Sequence, residues 1–131
     1  MPIIDVTNLI NLNEGSINLN KNPILIKKVN MICVHTSEGD DIPHFHIKRD
    51  KMHDCCVMLT KSMFFNHGNN DSLLNAKESS QLNTWLLKPN KATPNFTNWQ
   101  VLANMWNAIP NARFTVDLNK QPDYSTIYPY K

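Results

Sequence analysis

The alternation of apolar and polar side chains after Pro43 is the feature that most constrains the fold. Phe45 and Ile47 are apolar, and His44 and His46 alternate with them. Successive side chains of a β-strand point to opposite faces of a sheet, so this period of two indicates a strand with two core residues and two imidazoles on its other face. Proline is tolerated at the first residue of a strand, because no ladder hydrogen bond is lost there. We therefore expect a strand that opens at Pro43.

The residues before this strand have the patterns of further strands. Two short alternating runs, at 9–12 and 17–19, flank the turn-forming residues 13–16 and predict an N-terminal hairpin. A longer apolar run covers residues 24–35. Its period slips by one at residues 27–28, where a β-bulge would keep the apolar face directed inward. This run is the longest strand that the sequence predicts.

The second half of the chain predicts two helices. Asn75 and Glu78 have the spacing of a capping box, and so do Thr97 and Gln100. Apolar side chains follow each pair at helical spacing, and a proline follows each predicted end. The three tryptophans on these stripes are interpreted as core residues. They are Trp85, Trp99 and Trp106. The remaining strands are expected at residues 55–59 and 114–118.

These elements predict an α+β fold. A curved antiparallel sheet of about four to six strands would pack against two short helices in the C-terminal half. The chain has 131 residues, which is close to the commonest size of a single domain. Within that domain we expect an N-terminal hairpin at 1–23, a core at 24–107, and a strand followed by an extended, tyrosine-rich tail at 111–131.

Charge and cysteine content exclude some classes of function. The net charge of +2 is too small to indicate nucleic-acid or membrane binding by itself, and no apolar run approaches the length of a membrane helix. The number of cysteines is odd, and the first residues lack the basic and apolar segments of a secretory signal. We therefore expect a reducing, cytoplasmic location without membrane contact. Cys55 and Cys56 are interpreted as buried thiols, with a soft metal site shared with the histidines or a redox pair as the alternatives.

Residues 38–47, with the sequence EGDDIPHFHI, resemble the signature of a family of small bacterial proteins that carry a Pro-His-Phe-His motif. Members of that family have a strand after the motif and a helix with a tryptophan near its end, which is similar to Trp85. The Asn-Trp pair of their second helix resembles residues 98–99. The likeness covers residues 24–107, and Ile42 stands where the family usually has a second proline. The family has no established function, so the resemblance implies a fold and no chemistry. Its mobile or defence-rich gene neighbourhoods imply a phage or mobile-element origin.

His44 and His46 are the candidate catalytic residues. Imidazoles two residues apart on a strand project from one face, within about 7 Å of each other. They can act as general acid and base, present a recognition surface, or hold a divalent metal ion. Such a metal site would be completed by Asp41 or, alternatively, by Asp40, His35 or His53. A purely structural role is the alternative, with one ring bonded to a neighbouring strand and no cofactor.

Two further groups are candidate contacts for macromolecules. Tyrosine is favoured at protein interfaces, so the tail predicts contacts with a protein partner. Its tyrosines are Tyr124, Tyr128 and Tyr130. A basic group after the histidines is the candidate for binding nucleic acid, through phosphate contacts. It comprises Lys48, Arg49 and Lys51.

No specific catalytic motif appears in the sequence, which favours a non-enzymatic function. We expect a small binding protein, an accessory or anti-defence factor of phage or mobile-element origin that docks on a host macromolecule, most directly a protein. The alternative is a metal- or His-dependent hydrolase that acts on nucleic acid or nucleotides. Direct nucleic-acid binding ranks third, because the net charge is modest.

Overall fold

The strands of the sheet lie side by side in the order in which they occur in the chain. The computed structural model describes residues 10–11, 14–49, 53–65 and 73–130. The strands are β1 (Ile10–Asn11), β2 (Glu14–Ser16), β3 (Val29–His35), β4 (His44–Arg49) and β5 (His53–Met58). Neighbouring strands pair antiparallel in the order β1-β2-β3-β4-β5. The helices α1 (Ala76–Leu87) and α2 (Asn98–Asn107) follow. The α+β prediction is therefore confirmed.

The second strand of the N-terminal hairpin begins earlier in the chain than predicted. Ile10 pairs with Gly15 and Asn11 pairs with Glu14, so β2 already begins at Glu14. Residues 12–13 lie outside the described residues. Part of the predicted turn at 13–16 therefore belongs to β2. Gly15, predicted as a turn residue, instead permits close packing, because a Cβ atom at this position would lie 2.8 Å from the Sδ atom of Met105 in α2.

Strand β3 begins at Val29, later than the predicted start at residue 24. Lys28 precedes it with a φ of 67°, in the left-handed region, and this conformation interrupts the extended run. The irregularity predicted at residues 27–28 lies between Val29 and Met31 instead. Ile26 still reaches the core, where it is buried.

Both helices begin as the sequence predicts. The Asn75 side chain accepts the Glu78 N–H at 2.8 Å, and the Glu78 carboxylate accepts the Asn75 N–H at 3.0 Å. Thr97 and Gln100 form the same reciprocal pair before α2. Both predicted capping boxes are thus confirmed. In the described part of the chain, neither helix has the length and apolar content that crossing a membrane requires.

The main core lies between the helices and one face of β3, β4 and β5. Phe45 and Ile47 point into it, as the alternation predicts, and both are fully buried. The three tryptophans are buried as well, which confirms their prediction as core residues. Other members of this core are Ile32, Val34, Val57, Leu82, Leu86 and Leu102. This packing fixes which side chains of the three strands face away from the helices.

The predicted strand at 114–118 is wrong, because this segment pairs with a side chain. The Asn107 side chain donates to the Val116 carbonyl at 2.9 Å and accepts the Val116 N–H at 2.8 Å. The amide of Asn107 therefore takes the place that a neighbouring strand would occupy.

The tail packs against β5 and the residues after it. Tyr124 is fully buried, and its hydroxyl donates to the Met58 carbonyl at 2.6 Å while accepting from the Trp99 indole N–H at 3.2 Å. Further along, the Phe64 N–H donates to the Tyr128 carbonyl at 2.9 Å. The tail is therefore ordered by hydrogen bonds up to this point.

Candidate functional site

The face of the sheet opposite Phe45 and Ile47 carries a row of sulfur and imidazole groups. Cys33 of β3 pairs with His46 of β4, which pairs in turn with Cys56 of β5. Directly opposed residues of neighbouring strands project to the same face, so these three side chains lie side by side. His35 and His44 lie two residues from Cys33 and His46 and share this face. His44 and His46 therefore project from the same face of the sheet, as the alternation predicts.

His44 and His46 are buried, although they lie on the face opposite Phe45 and Ile47. His44 lies against aromatic rings, with ring centroids 4.5 Å from Phe65 and 5.3 Å from Trp106. His46 stacks on His35 at a centroid distance of 3.8 Å. Burial of a polar ring is costly unless its nitrogens are hydrogen-bonded, so the partners of these rings define the site.

Glu38 is the common partner of the histidines. It ends a 3-10 helix, Thr36–Glu38, which follows β3 directly and places the carboxylate over β4. Its Oε1 atom lies 2.8 Å from His46 Nε2, 3.1 Å from His44 Nε2 and 3.4 Å from His35 Nδ1. Three imidazoles therefore converge on one carboxylate oxygen.

The electrostatics of this cluster favour an ionised Glu38. Partial burial raises the pKa of the Glu38 carboxyl, but hydrogen bonds from His44 and His46 and the charges of those two rings outweigh it. The net result holds this pKa well below its usual range. The second nitrogen of His44, Nδ1, lies 2.7 Å from the Ile42 carbonyl. Because both nitrogens of His44 face oxygen acceptors, the two hydrogen bonds are satisfied together when both nitrogens carry protons.

His46 connects Glu38 to a thiol. The Sγ atom of Cys56 lies 3.2 Å from His46 Nδ1, on the side of the ring opposite Glu38. Thiol, imidazole and carboxylate stand in the order that activates a cysteine nucleophile. Cys56 is only 1% exposed, however, so a substrate has no access to its sulfur. Cys56 is therefore better placed to orient the His46 ring than to attack a substrate.

His35, Glu38 and His46 form the group that can hold a metal ion. One ligand atom from each lies within 4.8 Å of the others. The sequence predicts a metal set of His44, His46 and Asp41. Of that set the described part of the chain brings only His46 into the group. His44 Nε2 contacts Glu38 Oε1 at 3.1 Å but does not belong to the group, and Asp41 is exposed.

The three remaining candidate ligands lie in different places. Asp40 is exposed and stays outside the group, while His35 belongs to it. The His53 side chain lies outside the described residues. Sequence reasoning missed Glu38 as a ligand, because its position depends on how a turn folds back over β4. The local signal was an acid three residues after the end of a long strand.

The two described members of the predicted basic group, Lys48 and Arg49, do not form an open cationic surface. Arg49 Nη1 donates to Glu78 Oε2 at 2.9 Å, and Nη2 donates to the Leu73 carbonyl at 3.2 Å. Lys48 is partly buried beside it, and Lys51 lies outside the described residues. Arg49 is thus committed to the junction between β4 and the start of α1.

The predicted tyrosine surface is divided by the fold. Tyr124 is a core residue and is not available to a partner. Tyr128 and Tyr130 are 59% and 43% exposed, and the ring of Tyr130 meets Phe65 edge-on at 5.7 Å.

Comparison with protein-family models, with curated proteins and with solved structures finds no match to this chain.

Proposed function

We propose that this protein binds a divalent transition-metal ion of the zinc class through His35, Glu38 and His46. The convergence of these three side chains is the observation that carries the proposal. Imidazole and carboxylate are both established ligands of zinc. The site would form where β3, the turn after it and β4 meet.

The spacing of the ligand atoms supports a tetrahedral ion. Metal–ligand distances of about 2.0–2.2 Å place two tetrahedral ligands about 3.3 Å apart. His35 Nδ1 and Glu38 Oε1 are 3.4 Å apart, and His46 Nε2 and Glu38 Oε1 are 2.8 Å apart. To bind the ion, the second pair would separate by a few tenths of an ångström, and the stacked rings of His35 and His46 would tilt so that both nitrogen lone pairs point at it. Binding would replace the proton on His46 Nε2, so affinity should fall as the pH is lowered.

The surrounding hydrogen bonds support the same assignment. Metal-binding histidines usually bond a second group through the other ring nitrogen, and ligating carboxylates are held in turn. Cys56 contacts the other nitrogen of His46, and His44 contacts Glu38. His44, predicted as a ligand, would thus be a positioning residue for Glu38.

Two imidazoles and one carboxylate favour a catalytic rather than a purely structural ion. Structural zinc sites usually have four protein ligands, whereas hydrolytic sites have three and keep a position for water. The side chains of His35 and Glu38 are 23% and 18% exposed, which gives water a route to the site. The chemistry would be hydrolysis by a metal-bound hydroxide, with phosphoesters as the substrate class to test first.

Chelator-treated protein should take up one zinc ion per chain, measured by calorimetry and elemental analysis. We expect Glu38→Gln to weaken this binding by more than about 100-fold, because loss of an outer-shell partner alone costs about 10- to 100-fold. Asp41→Asn is the matched control: it makes the same chemical change three residues away and should bind zinc as the wild type does.

Three results would contradict the proposal: no retained zinc, more than one equivalent ion, or equal weakening by both substitutions. If Glu38→Gln does not fold, His35→Gln tests the same site on a partly exposed ring. Zinc-loaded protein that binds the ion but leaves bis(p-nitrophenyl) phosphate intact would reject the hydrolase and keep the metal site.

A docking function is the second candidate, because Tyr128 and Tyr130 remain exposed. Their rings would supply the apolar contact with a host protein. We expect a stoichiometric partner that the wild type retains and the double variant Tyr128→Ala, Tyr130→Ala releases. Retention by both would reject these tyrosines as the contact. The phage or mobile-element origin stays a prediction.

A further inference from the structure

Three lysines that are distant in the sequence meet around one depression in the surface. Lys21 precedes β3, whereas Lys88 and Lys91 follow α1, and all three are exposed. They line a cavity of about 270 Å³ together with Asn22 and Asn98. A second depression of about 270 Å³ adjoins it and shares Lys88 and Lys91. We refer to the two depressions as the lysine groove.

Buried asparagines fix the floor of the lysine groove. Asn22 accepts the Lys91 N–H through Oδ1 at 2.9 Å, and its own carbonyl accepts the Trp85 indole N–H at 2.8 Å. Asn98 donates to the Trp85 carbonyl at 2.9 Å and accepts from Asn90 at 2.9 Å. These bonds hold the backbone around the groove to α1 and α2. The groove is therefore preformed rather than dependent on loop movement.

The groove carries positive charge without a compensating acid. None of the described residues that line it is an aspartate or a glutamate. Among the described residues, none of the three lysines forms an ion pair, in contrast to Arg49, which is neutralised by Glu78. Three ammonium groups around one concave surface repel each other unless an anion lies between them. A polyvalent anion is thus the ligand that this surface favours.

We propose that the lysine groove binds a run of two or three phosphate groups. Lysine ammonium groups act as compact point charges that suit phosphate oxygens. The lining, as far as the structure describes the chain, contains no aromatic ring and so offers no surface on which a nucleobase can stack. Each of its two depressions is smaller than the roughly 300–1,000 Å³ of pockets that enclose a whole drug-sized ligand. The ligand is therefore recognised by its phosphates, either in a short polyphosphate chain or in successive phosphates of a nucleic-acid backbone.

The lysine groove is a different surface from the basic group that the sequence predicts as the phosphate contact. Lys48 and Arg49 follow one another and are obvious in the sequence, but Arg49 is held by Glu78. The lysines of the groove become neighbours only because α1 ends beside the segment that contains Lys21. The inference is independent of the proposed metal site, and its test is done in the presence of a chelator so that no metal ion contributes.

The test measures tripolyphosphate binding by calorimetry and binding of a labelled oligothymidylate by fluorescence anisotropy. The groove variant carries Lys21→Gln, Lys88→Gln and Lys91→Gln. Its matched control carries Lys61→Gln, Lys77→Gln and Lys120→Gln, three exposed lysines outside the groove, so both variants lose the same charge. Thermal unfolding of both variants shows that each is folded.

We expect the groove variant to lose at least 10-fold in affinity and the control to stay within about 2-fold of wild type. Three phosphate contacts should also make oligonucleotide affinity fall about 20-fold between 50 and 200 mM salt. Tripolyphosphate binding alone would identify a free polyphosphate, and binding of both probes would identify a nucleic-acid backbone. Equal losses in the two variants, or no binding of either probe, would overturn the proposal. A groove variant that does not fold is replaced by the three single substitutions, judged by the same criterion.

Discussion

The two faces of the sheet come from the same three strands, yet their side chains are stabilised in different ways. On the helix side, Phe45 and Ile47 are buried among aliphatic and aromatic groups. On the opposite side, His44 and His46 are equally buried, but hydrogen bonds to Glu38 hold them. One face therefore depends on packing and the other on satisfied polar groups.

Alternation in a sequence therefore fixes the direction of a side chain but not its environment. A period of two is commonly interpreted as one buried and one solvated face. Here the second face is covered as well, and the polar residues on it form a connected cluster. The following substitutions test whether the first face supplies mainly stability and the second mainly chemistry.

The largest loss of stability is expected from a substitution on the face of the sheet that packs against the helices. Phe45→Ala removes a fully buried ring and leaves a cavity, which should lower the free energy of unfolding by about 3–5 kcal/mol. Urea denaturation followed by tryptophan fluorescence measures this loss. Leu87→Ala, at an exposed apolar side chain in α1, is the control and should cost less than about 0.5 kcal/mol. Comparable losses for the two variants would contradict the packing assigned to this face.

A smaller effect on stability is expected from the other side. Glu38→Gln removes the charge that two buried imidazoles share, and hydrogen bonds to a charged group contribute about 1.5–3 kcal/mol. We expect a loss in that range in chelator-containing buffer, measured by the same denaturation. Asp41→Asn should leave the free energy of unfolding unchanged. A loss as large as that of Phe45→Ala would mean that the polar face contributes as much stability as the apolar one.

The smallest effect concerns the hydroxyl of Tyr124 within the apolar core. Tyr124→Phe removes the hydrogen bond to the Met58 carbonyl and should cost about 1 kcal/mol at neutral pH. Burial raises the pKa of Tyr124 above its ordinary value near 10, and the hydrogen bond from Trp99 offsets only part of this rise.

The raised pKa of Tyr124 gives the same substitution a pH signature. Above pH 10 the unfolded chain would lose this proton first, so the wild type should lose stability as the pH rises. Unfolding measured from pH 8 to 11 should show a shallower decline in Tyr124→Phe than in the wild type. The exposed Tyr128→Phe serves as the control and should retain the wild-type slope.

Local signals predicted the parts of the fold that depend on neighbours in sequence. Both capping boxes and the direction of the four side chains in β4 follow from spacings of a few residues. The start of β3 was missed because the left-handed conformation of Lys28 has no signature in a run of apolar residues.

The features that the sequence did not predict depend on contacts between residues that are distant in the chain. Glu38 lies eight residues before His46, and only the turn after β3 brings them together. Arg49 pairs with Glu78 across 29 positions, so one member of a group that is basic in the sequence is neutralised in the fold. The segment at 114–118 has the pattern of a strand, but the Asn107 amide satisfies its backbone instead. The sequence pattern of each segment does not predict which distant residue it will pair with.

The bond between Tyr124 and Met58 also bears on the order in which this protein is made. Its two residues are 66 positions apart, and Met58 ends the last strand of the sheet. A ribosome that has synthesised all five strands has therefore not yet synthesised the residue that closes the core beside them. The nascent sheet must wait for both helices and the tail before it is complete, and contacts of such long range slow folding. During that interval the apolar face of the sheet stays exposed, and the nascent chain is prone to aggregate with other proteins unless this face is covered.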